Sequence, residues 1–192
     1  MDEQIRTIEV QHLLDKQAIQ EVLFRYCRGA DRKEWSLMEA AYHPDAFDDH
    51  GPYKGGREGL MQWVKKHHEG VAQCAHIVSN ILIEINGDAA AVESFVTTHQ
   101  RFSPQNKANL AMYNCAATGL KDDERLQVMG IARYVDRFEK RNSDWRIARR
   151  TCVLEAVWSS VVSVSLPESS ALVKATRDAT DPLWAMRAAV LS

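Results

Sequence analysis

The apolar residues of this chain change their spacing once, near residue 70, and that change limits the fold more than any other feature. Before it they recur at helical intervals. Leu13, Leu14, Ile19, Val22, Leu23, Tyr26 and Cys27 alternate with charges in a pattern that predicts a helix over residues 4–30. Gly29 is a natural stop for it. A short second helix is expected over residues 32–42, ended by "HPD". "GREGLMQWVKKHHEG" reads as a third, with Leu60, Met61, Trp63 and Val64 inward and the "KKHHEG" cations at its C-terminal end. The intervening "DAFDDHGPYKGG" is rich in Gly, Pro and Asp and reads as a short strand and turn.

Beyond residue 70 the period becomes two. "CAHIVSNILIEI" and "AAVESFVTTHQRF", joined by "NGD", predict a hairpin. "LQVMGIARYVDRFEK" and "WRIARRTCVLEAVW", joined by "RNSD", predict another. "NLAMYNCAATGL" is expected to add a further strand. Helices first and antiparallel strands afterwards is the α+β order. The expected fold is a cone-like curved sheet, mainly antiparallel, wrapped around the N-terminal helices and enclosing a pocket. Residues 1–166 form this domain, and 167–192 an Ala-rich helical tail that caps the pocket or contacts another subunit.

Composition narrows the partners. The net charge is −2, and the Lys and Arg residues of "RYVDRFEKRNSDWRIARR" alternate with apolar ones, as in a strand pair and unlike a phosphate track. No nucleic-acid partner is expected. The four cysteines, Cys27, Cys74, Cys115 and Cys152, form no CxxC pair and read as buried thiols. The first residues are too charged for a signal peptide, and no run approaches the ~20 apolar residues of a membrane span. A cytoplasmic protein with no membrane contact is the expectation.

There is no Gly-rich phosphate loop, GxSxG elbow or HExxH, so no cofactor is expected. "HPDAFDDH" offers His43, Asp45, Asp48, Asp49 and His50 as metal donors, but acidic turn residues are usually solvated, and no metal is expected. His76 stands near the head of a strand. Plain alternation gives it the face of Val78, Asn80, Leu82 and Glu84, and gives the other face Ile77, Ile81, Ile83 and Ile85. A two-residue turn at Asn86-Gly87 would set it opposite Thr97, with Glu93, Phe95 and His99 on its side; a one-residue change would remove His99. Arg149 and Arg150 face opposite ways. Unbroken alternation groups Arg149 with Trp145 and Ile147, and a bulge would reverse that. Asp31 and Glu34 have capping-box spacing.

Four segments, "AIQEVLFRYCRGADRKEW", "AYHPDAFDDHGPYKG", "AHIVSNILIEINGDAAAVES" and "GIARYVDRFEKRNSDWRIARRT", together resemble the SnoaL-like branch of the nuclear transport factor 2-like superfamily over residues 12–155. Within it the chain is similar to scytalone dehydratase and hexachlorocyclohexane dehydrochlorinase. The resemblance implies a cofactor-independent lyase built on a His–Asp pair and assembled as a homotrimer. Asp31 in "GADRK", His76 in "CAHIVSN" and Arg150 in "WRIARR" match the catalytic positions, as base partner, base and electrostatic stabiliser. His99 is similar to a second histidine of the family, Tyr53 or in its place His50 stands for a tyrosine that holds substrate or water, and Tyr26, Trp63 and Glu93 complete the expected substrate-binding set. The implied substrate is a small, apolar, aromatic or cyclic molecule, lost water or cleaved at C–C. The alternatives are a ketosteroid-type isomerase, with Glu93 as its carboxylate base, and a non-catalytic ligand-binding module. A homotrimer would also cover the isoleucine face of the His76 strand.

Overall fold

The computed structural model describes residues 3–112, 120–163 and 171–191. The elements are α1 (Glu3–Arg32), α2 (Trp35–Ala40), β1 (Tyr42–Asp49), β2 (Lys54–Gly56), α3 (Arg57–His67), β3 (Val71–Asn86), β4 (Ala89–Phe102), α4 (Lys107–Met112), β5 (Glu124–Arg141), β6 (Asp144–Ser163) and α5 (Pro182–Leu191). The strands form one sheet in the order β2-β1-β6-β5-β4-β3, and it is curved and unclosed. Only β1 and β6 run parallel; the other neighbours are antiparallel. The α+β reading therefore holds, with a mixed sheet.

The core lies where α1 and α3 meet the concave face. Ile19, Leu23 and Tyr26 of α1 and Leu60 and Val64 of α3 pack on Val96, Tyr134, Phe138 and Ile147. Burying such side chains stabilises the fold by about 1.5–3 kcal/mol each. Leu13 and Leu14 of α1, read as inward, take no part and are exposed. Among the described residues no helix is long and apolar enough to cross a membrane.

Several boundaries differ from expectation, each for a local reason. Gly29 does not stop α1. It lets α2 approach: a Cβ there would lie 2.6 Å from the Met38 backbone nitrogen. The helix ends instead before Lys33, which adopts a left-handed φ of 57°. "HPD" does not end a helix but runs inside β1, where Pro44 coincides with a register shift against β6. The described part of "NLAMYNCAATGL" is helical, in α4, and residues 113–119 lie outside the described residues.

The first hairpin turns at Gly87-Asp88, one residue later than expected, with Asn86 paired to Ala89. A bulge between Ser79 and Leu82, with Asn80 at φ 48°, then shifts the register. His76 consequently pairs with Thr98, not Thr97. The bulge also exchanges the faces of β3: Ile81, Ile83 and Ile85 pack inward with Val78, while Leu82 is 59% exposed. Of the expected isoleucine face only Ile77, before the bulge, stays outward, at 62% exposure. The β5–β6 turn falls on Asn142-Ser143, both at positive φ, as a two-residue hairpin requires.

Candidate active site

A cavity of about 430 Å³ opens between the helices and the concave face. It is lined mainly by apolar groups, and polar side chains enter it at a few points, among them His50, His67, His68, His76, Thr98 and Gln100. Its volume suits a molecule of one or two rings.

Asp31 and His76 meet at its wall. Asp31 sits in the last turn of α1 and caps nothing; the residue preceding α2 is Glu34, whose side chain makes no capping bond. The Asp31 carboxylate accepts the His76 backbone N–H at 2.9 Å and lies 2.6 Å from His76 Nδ1. A carboxylate only accepts, so Nδ1 carries the proton and Nε2 is left for the cavity. Burial works against the charged ring, but the Cys74 sulfur and the Asp31 carboxylate outweigh it and raise the pKa well above 6.5. The Cys74 sulfur lies 3.7 Å from Nδ1.

A second histidine is anchored in the same way. His50, just beyond β1, bonds Asp48 through Nδ1 at 2.7 Å, and Asp48 also accepts the Tyr42 hydroxyl at 2.7 Å. Burial would raise the Asp48 carboxyl, but His50, Arg150 and Tyr42 hold it below the usual range. Strands β1 and β3 stand near opposite edges of the sheet, so its curvature brings His50 and His76 to one cavity.

Arg150, and not Arg149, points inward. A register shift between Arg137 and Phe138 on the partner strand leaves Ala148 as an extra residue, which sets Arg150 on the side of Trp145 and Ile147. It does not line the cavity. Wholly buried, it donates to both Asp136 oxygens at 2.8 and 2.6 Å, and its guanidinium lies 3.8 Å from the Tyr134 ring centre and 4.4 Å from that of Tyr26. The expected electrostatic role of Arg150 is therefore not one of direct contact with the cavity. Arg150 packs against Tyr26 and Tyr134, both of which line the cavity.

Tyr26 and Trp63 line the cavity as expected. Tyr53 does not: its hydroxyl donates to the Gly56 carbonyl at 2.7 Å and its ring stacks behind Trp63. His99 and Glu93 alternate to the outer face, since Val96, Thr98 and Gln100 are the cavity residues of β4. Glu93 pairs there with Arg133 at 2.9 Å, so the isomerase reading loses its carboxylate base. The residues of "HPDAFDDH" disperse: His43 bonds the Glu139 carbonyl, Asp45 pairs with Arg141 and Asp49 with Lys54.

The sequence reading missed His67 and His68. "KKHHEG" does end α3, but neither imidazole serves there as a cation. Burial, first of all, lowers the pKa of both, that of His68 to about 2. Their signal was their spacing from Trp63 and Val64 on the inward face of α3. Asp31, Cys74 and His76 bring three potential metal donors within 4.8 Å, yet Nδ1 would have to give up the Asp31 bond to join them.

A SnoaL-like domain model matches residues 11–151. An uncharacterized protein of Mycobacterium tuberculosis (strain H37Rv) is 23% identical over 146 residues, 74% of this chain and 87% of that one. Among solved structures, a hexachlorocyclohexane dehydrochlorinase of type 2 superposes with a TM-score of 0.66 at 14% identity, over 83% of this chain and 99% of that one. A candidate scytalone dehydratase from Novosphingobium aromaticivorans gives 0.62 at 19% identity, over 84% and 97%.

Proposed function

The chain belongs to the SnoaL-like domain family, and from that premise we propose that it is a cofactor-independent lyase. Its substrate is a small, largely apolar, aromatic or cyclic alcohol. The observation that carries this reading is the pair of hydrogen bonds that one carboxylate accepts from His76, which fixes the ring with Nε2 free at a mostly apolar cavity. The resemblance of the fold to a dehydrochlorinase and to a candidate dehydratase supports an elimination.

In the reaction Nε2 of His76 takes a proton from carbon. The electron pair forms the double bond and the C–O bond breaks. The oxygen leaves as water with a proton supplied by His50, or returned by the imidazolium that Asp31 stabilises. Tyr26 and Trp63 hold the ring of the substrate. C–C cleavage of a β-hydroxy ketone is the second reaction in this class: Nε2 of His76 takes the hydroxyl proton, the C–C bond breaks to an aldehyde and an enolate, and the imidazolium returns the proton to the enolate carbon. We read the assembly as a homotrimer.

The probe 4-hydroxy-4-phenylbutan-2-one separates the two reactions: dehydration gives benzylideneacetone, and cleavage gives benzaldehyde and acetone. His76→Ala should lower kcat on the substrate so identified by about 10²–10⁴-fold. Full turnover by that variant would remove His76 as the base.

A further inference from the structure

One cation of the C-terminal segment enters the interior. Arg177 is buried, and its Nε donates to the Asp31 carbonyl at 2.8 Å. Nη1 donates to the Val71 carbonyl at 2.9 Å, and Nη2 to the Ala30 carbonyl at 2.7 Å. Nη2 also lies 2.8 Å from His68 Nδ1. A guanidinium has donors and no acceptor. The last contact therefore fixes the imidazole: Nδ1 is the lone-pair nitrogen, and the proton of the neutral ring is on Nε2.

His68 lines the cavity, so Nε2–H is the group it has left to offer a ligand. The ring is held in position, with Trp35 edge-on at 5.6 Å and His67 beside it at 5.6 Å. Burial opposes a charge on it, and Arg177, His67, His76 and Lys33 face it as further positive or potentially positive groups. It is thus unlike His76, whose partner is an anion and whose proton is meant to come and go.

We propose that the Arg177–His68 pair is a substrate-recognition site, an Nε2–H locked as a donor for a neutral oxygen acceptor, such as a ketone, on the bound molecule. The assignment rests on the reading of this cavity as the substrate site. A ring without such an oxygen would leave the buried N–H unpaired, and that loss is what selects against it. His76 handles the proton at carbon, and His68 holds the oxygen by which the molecule is oriented.

Two measurements test this. In long-range ¹H–¹⁵N spectra of the protein, His68 should stay in the Nε2–H form between about pH 5 and 8, the range in which an ordinary histidine titrates. Acetophenone should bind about tenfold more tightly than ethylbenzene, the worth of one net hydrogen bond. His68→Phe should bring the two probes near parity. Arg177→Met should release the tautomer, so that an Nδ1–H form of His68 appears. His76→Ala should leave the probe preference intact, which separates this site from the proposed base. A proton on Nδ1 or titration in the unmodified protein overturns the assignment. So does equal or absent binding of the two probes, or a preference that survives His68→Phe. If Arg177→Met does not fold, the wild-type tautomer and His68→Phe still decide.

Discussion

Asp31 shows how one carboxylate can do two things to one residue. Oδ2 holds the His76 backbone and Oδ1 holds its ring, so the imidazole has little freedom to turn. The same contact sets the pH at which the base works. Burial opposes the charged ring, but the Cys74 sulfur and the Asp31 carboxylate together outweigh it, so the folded pKa lies above 6.5. A base must be neutral, so kcat/KM should rise with pH through that raised value and not through the ordinary one. Asp31→Asn removes the anion, and the rising limb should move down in pH toward or below 6.5 while the maximum falls. A pH–rate profile of the two proteins checks this; an unmoved limb would mean that Asp31 does not set the base. The pair was legible in the sequence from the matching segments around residues 31 and 76. Its geometry was not, because capping-box spacing with Glu34 made a local role for Asp31 equally plausible.

At the level of elements, the period change at residue 70 was enough to separate the helices α1 and α3 from the long strands β3 to β6, because periodicity reports which face is buried, but not to show the short helix α4 among the strands. Single inserted residues were not legible. The bulge at Asn80 in β3 and the extra residue Ala148 in β6 each reset an alternation that reads as unbroken in the sequence. For this reason His99 and Glu93 left the expected face and Arg150 turned inward. Nor was Gly29 legible as a contact, since its neighbour in space is in another helix. Gly29→Ala tests that contact. Alanine favours a helix interior by about 1 kcal/mol, but its methyl would meet the Met38 backbone at 2.6 Å, and backbone yields little. Overpacking of that kind costs about 1–3 kcal/mol. The variant should therefore be less stable in urea denaturation; greater stability would show that α2 can simply move aside.

For the whole molecule, the sheet acts as a bent wall that gathers side chains from both of its edges into one cavity. The wall also leaves apolar side chains uncovered. Leu154 and Val157 line the cavity while largely exposed, and Trp158 and Val161 follow them along β6. Ile8, Leu13 and Leu14 are exposed on α1. Apolar surface of this extent supports a partner subunit better than the isoleucine argument did, because Ile81, Ile83 and Ile85 are inward and only Ile77 of that set is exposed. Light scattering should give three times the chain mass, and Trp158→Glu should lower it. A monomeric native protein would refute the homotrimer.

The clamp made by Arg177 has a consequence for biosynthesis. Asp31 and Arg177 are 146 residues apart, and ribosomes build a chain in one direction. The nascent polypeptide therefore holds Asp31, His50, His68 and His76 long before it holds the guanidinium that joins the end of α1 to the head of β3. The donor on His68 acquires its fixed tautomer only after translation reaches the final segment. A premature stop codon ahead of residue 177 would leave every proposed proton-transfer residue encoded and the oxygen-binding wall unmade.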